Sequence, residues 1–425
     1  MREAAVSRRP SAVRGRKAVA ALGVGLAALA ASAVLAQDDG VQRMAREMVP
    51  AVERAMGVSF RRPPVVQVRS REQVRQYLNR KMARQLPPSE IAAIERTYRA
   101  FGLTTDTSDL RRLMLDLYSE QVAGFYDPDS SVLFVVRGAE PAMVRFILAH
   151  ELVHALQDQY TPLNSILKLR RSNDRQMAGQ AVAEGQATLA SLQAIAPGAQ
   201  LGDVSALWRQ AREGLRAQQE AMPVFANAPR IIQEGLLFPY IAGADFVQSF
   251  NQRRASAAEQ PYGPRMPVST EQILHPAKYS ARERPWRVRP GAPPGDTLVY
   301  EDDFGEFETR VALESWGVDE PTATAAAAGW NGDRFATLGT RTGTALIWVT
   351  AWDGTEDAGQ FEAAVRSAWR RRTGSGEGGY APRGAAPRRW QVERLTVAGV
   401  PAVRLVDAPA AWPAWRSLPQ VRIAR

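Results

Sequence analysis

The sequence contains no cysteine among its 425 residues. The chain therefore cannot form disulfide bonds, and any metal ion must be bound by histidine and carboxylate side chains. Histidine is also scarce, since the whole chain has three. Chemistry that depends on an imidazole is restricted to His150, His154 and His275.

An evenly basic surface is lacking as well, although the formal net charge is +10. Much of the excess lies at the two ends of the chain: residues 1–36 hold six Arg or Lys and residues 366–425 hold twelve Arg, whereas 37–365 has a slight acidic excess. This distribution argues against a nucleic-acid partner. The Arg-rich C-terminal segment could make weak contact with envelope polyanions, but a solvated charged surface is the simpler account.

Residues 1–36 have the features of an export signal. A basic start precedes an apolar run of small residues over 18–33, and Val34-Leu35-Ala36 offers a cleavage site before Gln37. We therefore predict an exported protein, either periplasmic or extracellular. The alternative is an anchor formed by an uncleaved N-terminal segment, because the apolar run is nearly long enough to span a bilayer.

The most informative stretch is a predicted helix over residues 141–159, in which apolar side chains recur at helical spacing. His150 and His154 lie one turn apart on this helix, with Cβ atoms about 5–6 Å from each other, so both can bind one metal ion. Glu151 lies about 100° further round the helix, beside such an ion. This pattern is typical of zinc hydrolases, in which the glutamate accepts a proton from the attacking water.

A catalytic zinc site needs at least three protein ligands and one open position. Asp158 lies one turn after the second histidine of the pattern and would strain to reach the same ion. Tyr160 occupies a position where another peptidase class has a third histidine, and His275 is distant in sequence. Glu184 lies in a second predicted helix, 174–194, among small residues that allow close helix packing. We predict Glu184 as the third ligand, the alternative being an ordinary solvated glutamate.

These residues carry a resemblance to a known family. His150-Glu151-x-x-His154 followed by Glu184-Gly185 resembles the gluzincin type of zinc metallopeptidase. The stretches AGFYDP, HELVHALQDQ and STEQILHP are similar to a group of largely uncharacterised secreted bacterial proteins of that type, mainly over residues 110–290. The resemblance implies that His150, His154 and Glu184 bind zinc and that Glu151 is the general base. Gln186 departs from the family pattern, in which an acidic residue is common at that position.

His275 is a further candidate for a catalytic role. It ends a short predicted helix that begins with a capping box of Ser269 and Gln272, and Tyr279 follows it one turn later. Peptide hydrolysis needs a donor that stabilises the oxyanion of the tetrahedral intermediate. We predict His275 for this role, with Tyr279 as a second candidate. The alternative is a structural histidine at a helix end.

The sequence predicts an α+β fold in two parts. Residues 37–290 are expected to form a mostly helical, zincin-like peptidase core with a small β-hairpin within 120–136. A Pro/Gly/Arg-rich linker near 285–294 precedes a smaller mixed α+β domain, residues 296–425, whose role the sequence does not indicate.

The predicted function is that of a secreted zinc-dependent metallopeptidase with Zn²⁺ as cofactor and a polypeptide as substrate. One alternative is a catalytically idle, zinc-stabilised protein for binding or assembly in the envelope. Another is a zinc hydrolase of a different amide, such as a cell-wall bond. The sequence leaves the oligomeric state open.

Overall fold

The computed structural model describes residues 38–105, 107–138, 141–196, 208, 213–217, 220–376, 378–382 and 386–425. The predicted export signal, residues 1–36, lies outside these ranges. Among the described helices, none combines the length and the apolar character needed to cross a membrane. The fold is mixed α+β, as the sequence predicts, with helices dominating the first part and an antiparallel sheet dominating the second.

The first part is built from helices around a small sheet. Its helices are α1 (Asp38–Met56), α2 (Arg71–Gln85), α3 (Pro88–Phe101), α4 (Leu110–Gln121), α5 (Pro141–Tyr160), α6 (Leu163–Leu167), α7 (Asn173–Ile195), α8 (Pro223–Ala226), α9 (Arg230–Arg253), α10 (Thr270–Leu274) and α11 (Pro276–Ser280). Its strands are β1 (Val65–Arg69), β2 (Gly124–Asp127) and β3 (Val132–Val136). The strand order is β1-β3-β2, with β1 parallel and β2 antiparallel to β3. The hairpin of β2 and β3 confirms the predicted hairpin.

The second part contains a five-stranded antiparallel sheet in the order β5-β6-β7-β9-β8. Its elements are β4 (Arg287–Arg289), β5 (Thr297–Asp302), α12 (Gly305–Ser315), α13 (Glu320–Ala327), β6 (Trp330–Thr340), β7 (Gly343–Trp352), α14 (Thr355–Thr373), β8 (Arg388–Val397), β9 (Val400–Pro409) and β10 (Arg422–Ala424). Strands β4 and β10 pair separately with each other. Helices α12 and α14 contact this sheet, in agreement with the predicted mixed architecture.

The two parts share a hydrophobic core across the predicted boundary. The ring of Phe101, from α3, lies 4.9 Å from that of Phe304 and 5.7 Å from that of Trp348, measured between centroids. The indole N–H of Trp316 donates a hydrogen bond to the carbonyl of Phe101. Aromatic contacts of this kind stabilise beyond the buried area alone, so the C-terminal sheet and the helical part support each other.

Helix α5 is held in the centre of the first part. It contacts β2 and β3 on one side and α1 and α7 on others. Leu148, Leu152, Val153 and Leu156 are each fully buried. Burying a side chain of this size stabilises by about 1.5–3 kcal/mol, so the position of α5 is strongly determined by its packing.

Helix α7 approaches α9 unusually closely, and two glycines make this possible. A Cβ atom added to Gly185 would lie 2.1 Å from the carbonyl carbon of Gly243, and one added to Gly243 would lie 2.0 Å from the carbonyl oxygen of Ala181. Neither contact could be relieved by moving a side chain, because backbone lies opposite in both cases. The glycine pair therefore sets the distance between the two helices, directly beside Glu184.

We expect Gly185→Ala to force α7 and α9 apart and to lower the free energy of unfolding by about 3 kcal/mol, the upper range for an overpacked core. Urea denaturation would measure this change. The control is Gly235→Ala in α9, where an added Cβ would make only an ordinary 3.9 Å contact with the Met177 side chain. Alanine there should leave stability unchanged or raise it by up to about 1 kcal/mol. Equal stability of the two variants would contradict the prediction.

Candidate metal centre

Three predicted side chains converge between α5 and α7. The Nε2 atoms of His150 and His154 lie 3.1 Å apart. Glu184 Oε2 lies 3.1 Å from the first of these nitrogens and 3.3 Å from the second. The structure thus brings together two residues of one helix and one residue thirty positions later, and these three could hold a metal ion.

The separations suit the ligand atoms of a single ion. Metal–ligand distances of about 2.0–2.1 Å in a tetrahedral site place neighbouring ligand atoms roughly 3.3 Å apart. The three separations of 3.1, 3.1 and 3.3 Å are close to this value. Both histidines are almost completely buried, at 1% and 5% exposure, whereas 14% of the Glu184 side chain is exposed. Solvent or a ligand can therefore reach the cluster on the Glu184 side.

His154 and Glu184 each shift the pKa of the other. Burial by itself would lower the pKa of the His154 imidazole, but the Glu184 carboxylate outweighs burial and raises the pKa to about 9. Burial would likewise raise the pKa of Glu184, but the charge of His154 and the hydrogen bonds of both imidazoles hold it well below its usual range. The cluster therefore stabilises positive charge, which either a proton or a metal cation can supply.

Glu151 is fully buried on the same helix as the two histidines, and its carboxylate interacts electrostatically with His150, His154 and Glu184. Its Oε2 atom accepts a hydrogen bond of 2.7 Å from the backbone N–H of Tyr126 in β2. Its Oε1 atom has no hydrogen-bond partner among the residues that the structure describes. Burial raises the pKa of this carboxyl group, although both histidines oppose the shift. One oxygen is thus held by the sheet, and the other is a buried acceptor that no described residue uses.

A chain of glutamines orients His154, and sequence reasoning did not find it. Gln157 Oε1 accepts a hydrogen bond of 2.9 Å from His154 Nδ1, which leaves Nε2 with its lone pair for a metal ion. The Gln157 amide donates to the Ala183 carbonyl and to Gln186 Oε1. Gln186 in turn donates to Gln260 Oε1. Gln186 therefore supports His154, a histidine of the converging group, through Gln157.

The other candidates for a third ligand have different partners. Asp158 accepts hydrogen bonds from the Tyr126 hydroxyl and from the backbone N–H of Leu163. The hydroxyl of Tyr160 donates to the carbonyl of Ser59. Both side chains support the packing of α5 from its C-terminal end, and neither belongs to the converging group.

His275 and Tyr279 are not brought to this cluster by the contacts that the structure describes. The His275 ring lies 2.7 Å from the Glu306 carboxylate in α12, and this hydrogen bond raises its pKa. The Tyr279 hydroxyl donates to the Arg265 carbonyl, and its ring packs edge-on against Phe246. The oxyanion-stabilising role predicted for His275 therefore gains no support from its position.

Tyr240 is a site residue that the sequence analysis missed. Its ring stacks at 26° on the His150 imidazole, with 6.0 Å between centroids. It also lines a groove together with Glu184. The only sequence signal was an aromatic residue after Pro239 within an apolar run, which is more often a sign of core packing.

A second group of acidic side chains, Glu271, Glu283 and Asp353, also comes close enough to hold a cation. The Lys278 ammonium group lies between them and forms an ion pair with each. The protein's own lysine thus supplies the positive charge, so this group is a structural ion-pair network.

Residues 296–411 match the model of a family described as a domain of unknown function (DUF8575). The converging histidines and Glu184 lie outside the matched segment, so the match concerns the C-terminal part alone. No curated protein and no solved structure matches the chain.

Proposed function

We propose that the protein is an exported, zinc-dependent metallopeptidase with a gluzincin-like zincin core. The observation that carries this proposal is the convergence of His150, His154 and Glu184 within 3.3 Å, with a further buried carboxylate, Glu151, beside them. The polypeptide substrate would reach the centre from the partly exposed Glu184 side.

The donor set favours zinc. Two imidazole nitrogens and one carboxylate oxygen form a ligand set found in catalytic zinc sites, which keep a further position open for water or substrate. Bound by these residues, zinc would act as a Lewis acid and lower the pKa of a water molecule to about 7. Gln157 contributes by holding the His154 ring in the tautomer that leaves Nε2 free to bind.

Glu151 is the residue that makes hydrolysis the best-supported activity. Its carboxylate would accept a proton from the attacking water and deliver it to the leaving amine. The Tyr126 N–H holds one carboxylate oxygen, so the other keeps a defined direction. A purely structural zinc site would need a closed set of four ligands and would gain nothing from a buried, non-ligating carboxylate, which is costly to desolvate.

The proposal predicts one zinc ion per purified chain and cleavage of an unstructured polypeptide such as β-casein. Removal of the metal with 1,10-phenanthroline should stop cleavage, and added zinc should restore it, because the water must be activated at the metal. Elemental analysis and mass spectrometry of the products measure both. A folded, zinc-loaded protein that is inert on a broad peptide library and on cell-wall peptides would contradict the proposal and favour a zinc-stabilised binding protein.

A further inference from the structure

A narrow, largely apolar groove leads away from the candidate metal centre. Glu184 and Tyr240 line it, and so do Ile232 and Met114. Along α7 its lining reaches from Glu184 back to Asn173, eleven residues or roughly 16 Å of helix. The groove is therefore continuous with the one metal-site residue that is partly exposed.

Gly235 lines this groove from α9, and helix packing does not account for it. Glycine inside a helix costs about 1 kcal/mol relative to alanine, so an interior glycine calls for a reason. Close helix packing explains Gly185 and Gly243, because backbone atoms of the facing helix would lie about 2 Å from a Cβ atom added at either position. An added Cβ at Gly235 would meet only the tip of Met177, at 3.9 Å. The absence of a side chain at Gly235 therefore leaves space in the groove. It is not needed for a close contact between helices.

The size of the groove limits what can occupy it. Its volume is about 70 Å³. A cavity of about 150 Å³ holds benzene, which has six non-hydrogen atoms, so this volume has room for roughly three such atoms. A side chain of about three non-hydrogen atoms, the size of valine, fits within it. The apolar walls favour valine over threonine, a polar residue of the same shape.

We propose that this groove is the specificity pocket for the substrate and receives a valine-sized apolar side chain adjacent to the cleaved bond, with Gly235 providing the space. The inference rests on the proposed metallopeptidase function, because the groove acquires its role from its continuity with Glu184. Tyr240 would form the wall between the metal centre and the apolar part of the pocket.

The test measures binding of linear alkyl hydroxamates, from acetohydroxamate to decanohydroxamate, to the zinc-loaded full chain by calorimetry. All share one metal-binding group and differ only in alkyl length. Affinity should rise by up to about fourfold per added methylene, as expected for burial of apolar surface, by at least 30-fold in total, and level off after about three added carbons. Gly235→Leu should fill the pocket and remove most of this rise, with the affinity for acetohydroxamate and the zinc content unchanged.

The matched control is Gly40→Leu in α1, where an added Cβ atom would meet nothing within 4 Å and the residue lies outside the groove lining. Gly40→Leu should show the same rise in hydroxamate affinity with alkyl length as the wild type. If Gly235→Leu does not fold, Gly235→Ala should still reduce the total gain in affinity along the hydroxamate series several-fold. Affinity for the zinc-loaded wild type that does not depend on alkyl length would overturn the pocket and leave the metallopeptidase proposal standing. Failure of the wild-type chain to retain zinc would overturn both the pocket and the metallopeptidase proposal.

Discussion

Replacing Glu151 with glutamine should reduce peptide hydrolysis by at least 10²–10⁴-fold, the usual contribution of general acid–base catalysis, while the protein remains folded and keeps its metal. The amide has the shape of the carboxylate, and its oxygen can still accept the hydrogen bond from the Tyr126 N–H. What it cannot do is accept a proton from water. Glu151 is not one of the three converging donors, so metal affinity should not depend on its charge directly.

The measurement compares kcat/KM and zinc content of Glu151→Gln with those of the wild type. Glu47→Gln is the matched control, since Glu47 is an exposed glutamate on α1 with no part in the site. It should retain full activity. Hydrolysis by Glu151→Gln at the wild-type rate would exclude Glu151 as the base and would require another proton acceptor near the metal.

Replacing Glu184 with alanine should release the metal, with zinc content falling below about one tenth of an ion per chain. Glu184 supplies one of three ligand atoms and the only carboxylate among them. Two histidines alone fall short of the three protein ligands that catalytic zinc sites use. Elemental analysis after gel filtration measures the loss, and His150→Ala should behave in the same way.

The chain contains a natural control for Glu184. Glu234 precedes Gly235 in α9 as Glu184 precedes Gly185 in α7, but Glu234 pairs with Arg216 instead of facing the histidines. Glu234→Ala should therefore lower stability while leaving the zinc content at the wild-type level. Full zinc occupancy in folded Glu184→Ala would reassign the third ligand.

The helices that carry the site are predictable because their signals are local. A helix over 141–159 was expected from apolar spacing, and the structure has one over Pro141–Tyr160. A helix over 174–194 was expected, and the structure has Asn173–Ile195. Within one helix, the rise and rotation per residue determine which side chains share a face. For this reason the sequence could place His150 and His154 together without knowledge of any other element.

Contacts between segments that are distant in the sequence were harder to predict. The chain of Gln157, Gln186 and Gln260 joins three separate segments, and amide side chains carry no sequence pattern that indicates such a network. His275 also shows how far a local pattern reaches. Its rarity made it a candidate for catalysis, but its ring faces Glu306, thirty-one residues away in sequence. A short-range pattern contains no information about which of several distant carboxylates a histidine will meet.

The amino-acid sequence alone was enough to predict the class of fold, the helix that bears His150, Glu151 and His154, and the restriction of metal ligands to histidine and carboxylate. These follow from composition and from local backbone geometry. The packing of the helices in three dimensions was needed to show that Glu184 completes the converging group and that an apolar groove extends from it. Both depend on how closely α7 approaches its neighbours, and the backbone contact between Gly185 and Gly243 sets that approach. Such packing depends on the shapes of surfaces that meet across long separations in the chain, which no local pattern specifies.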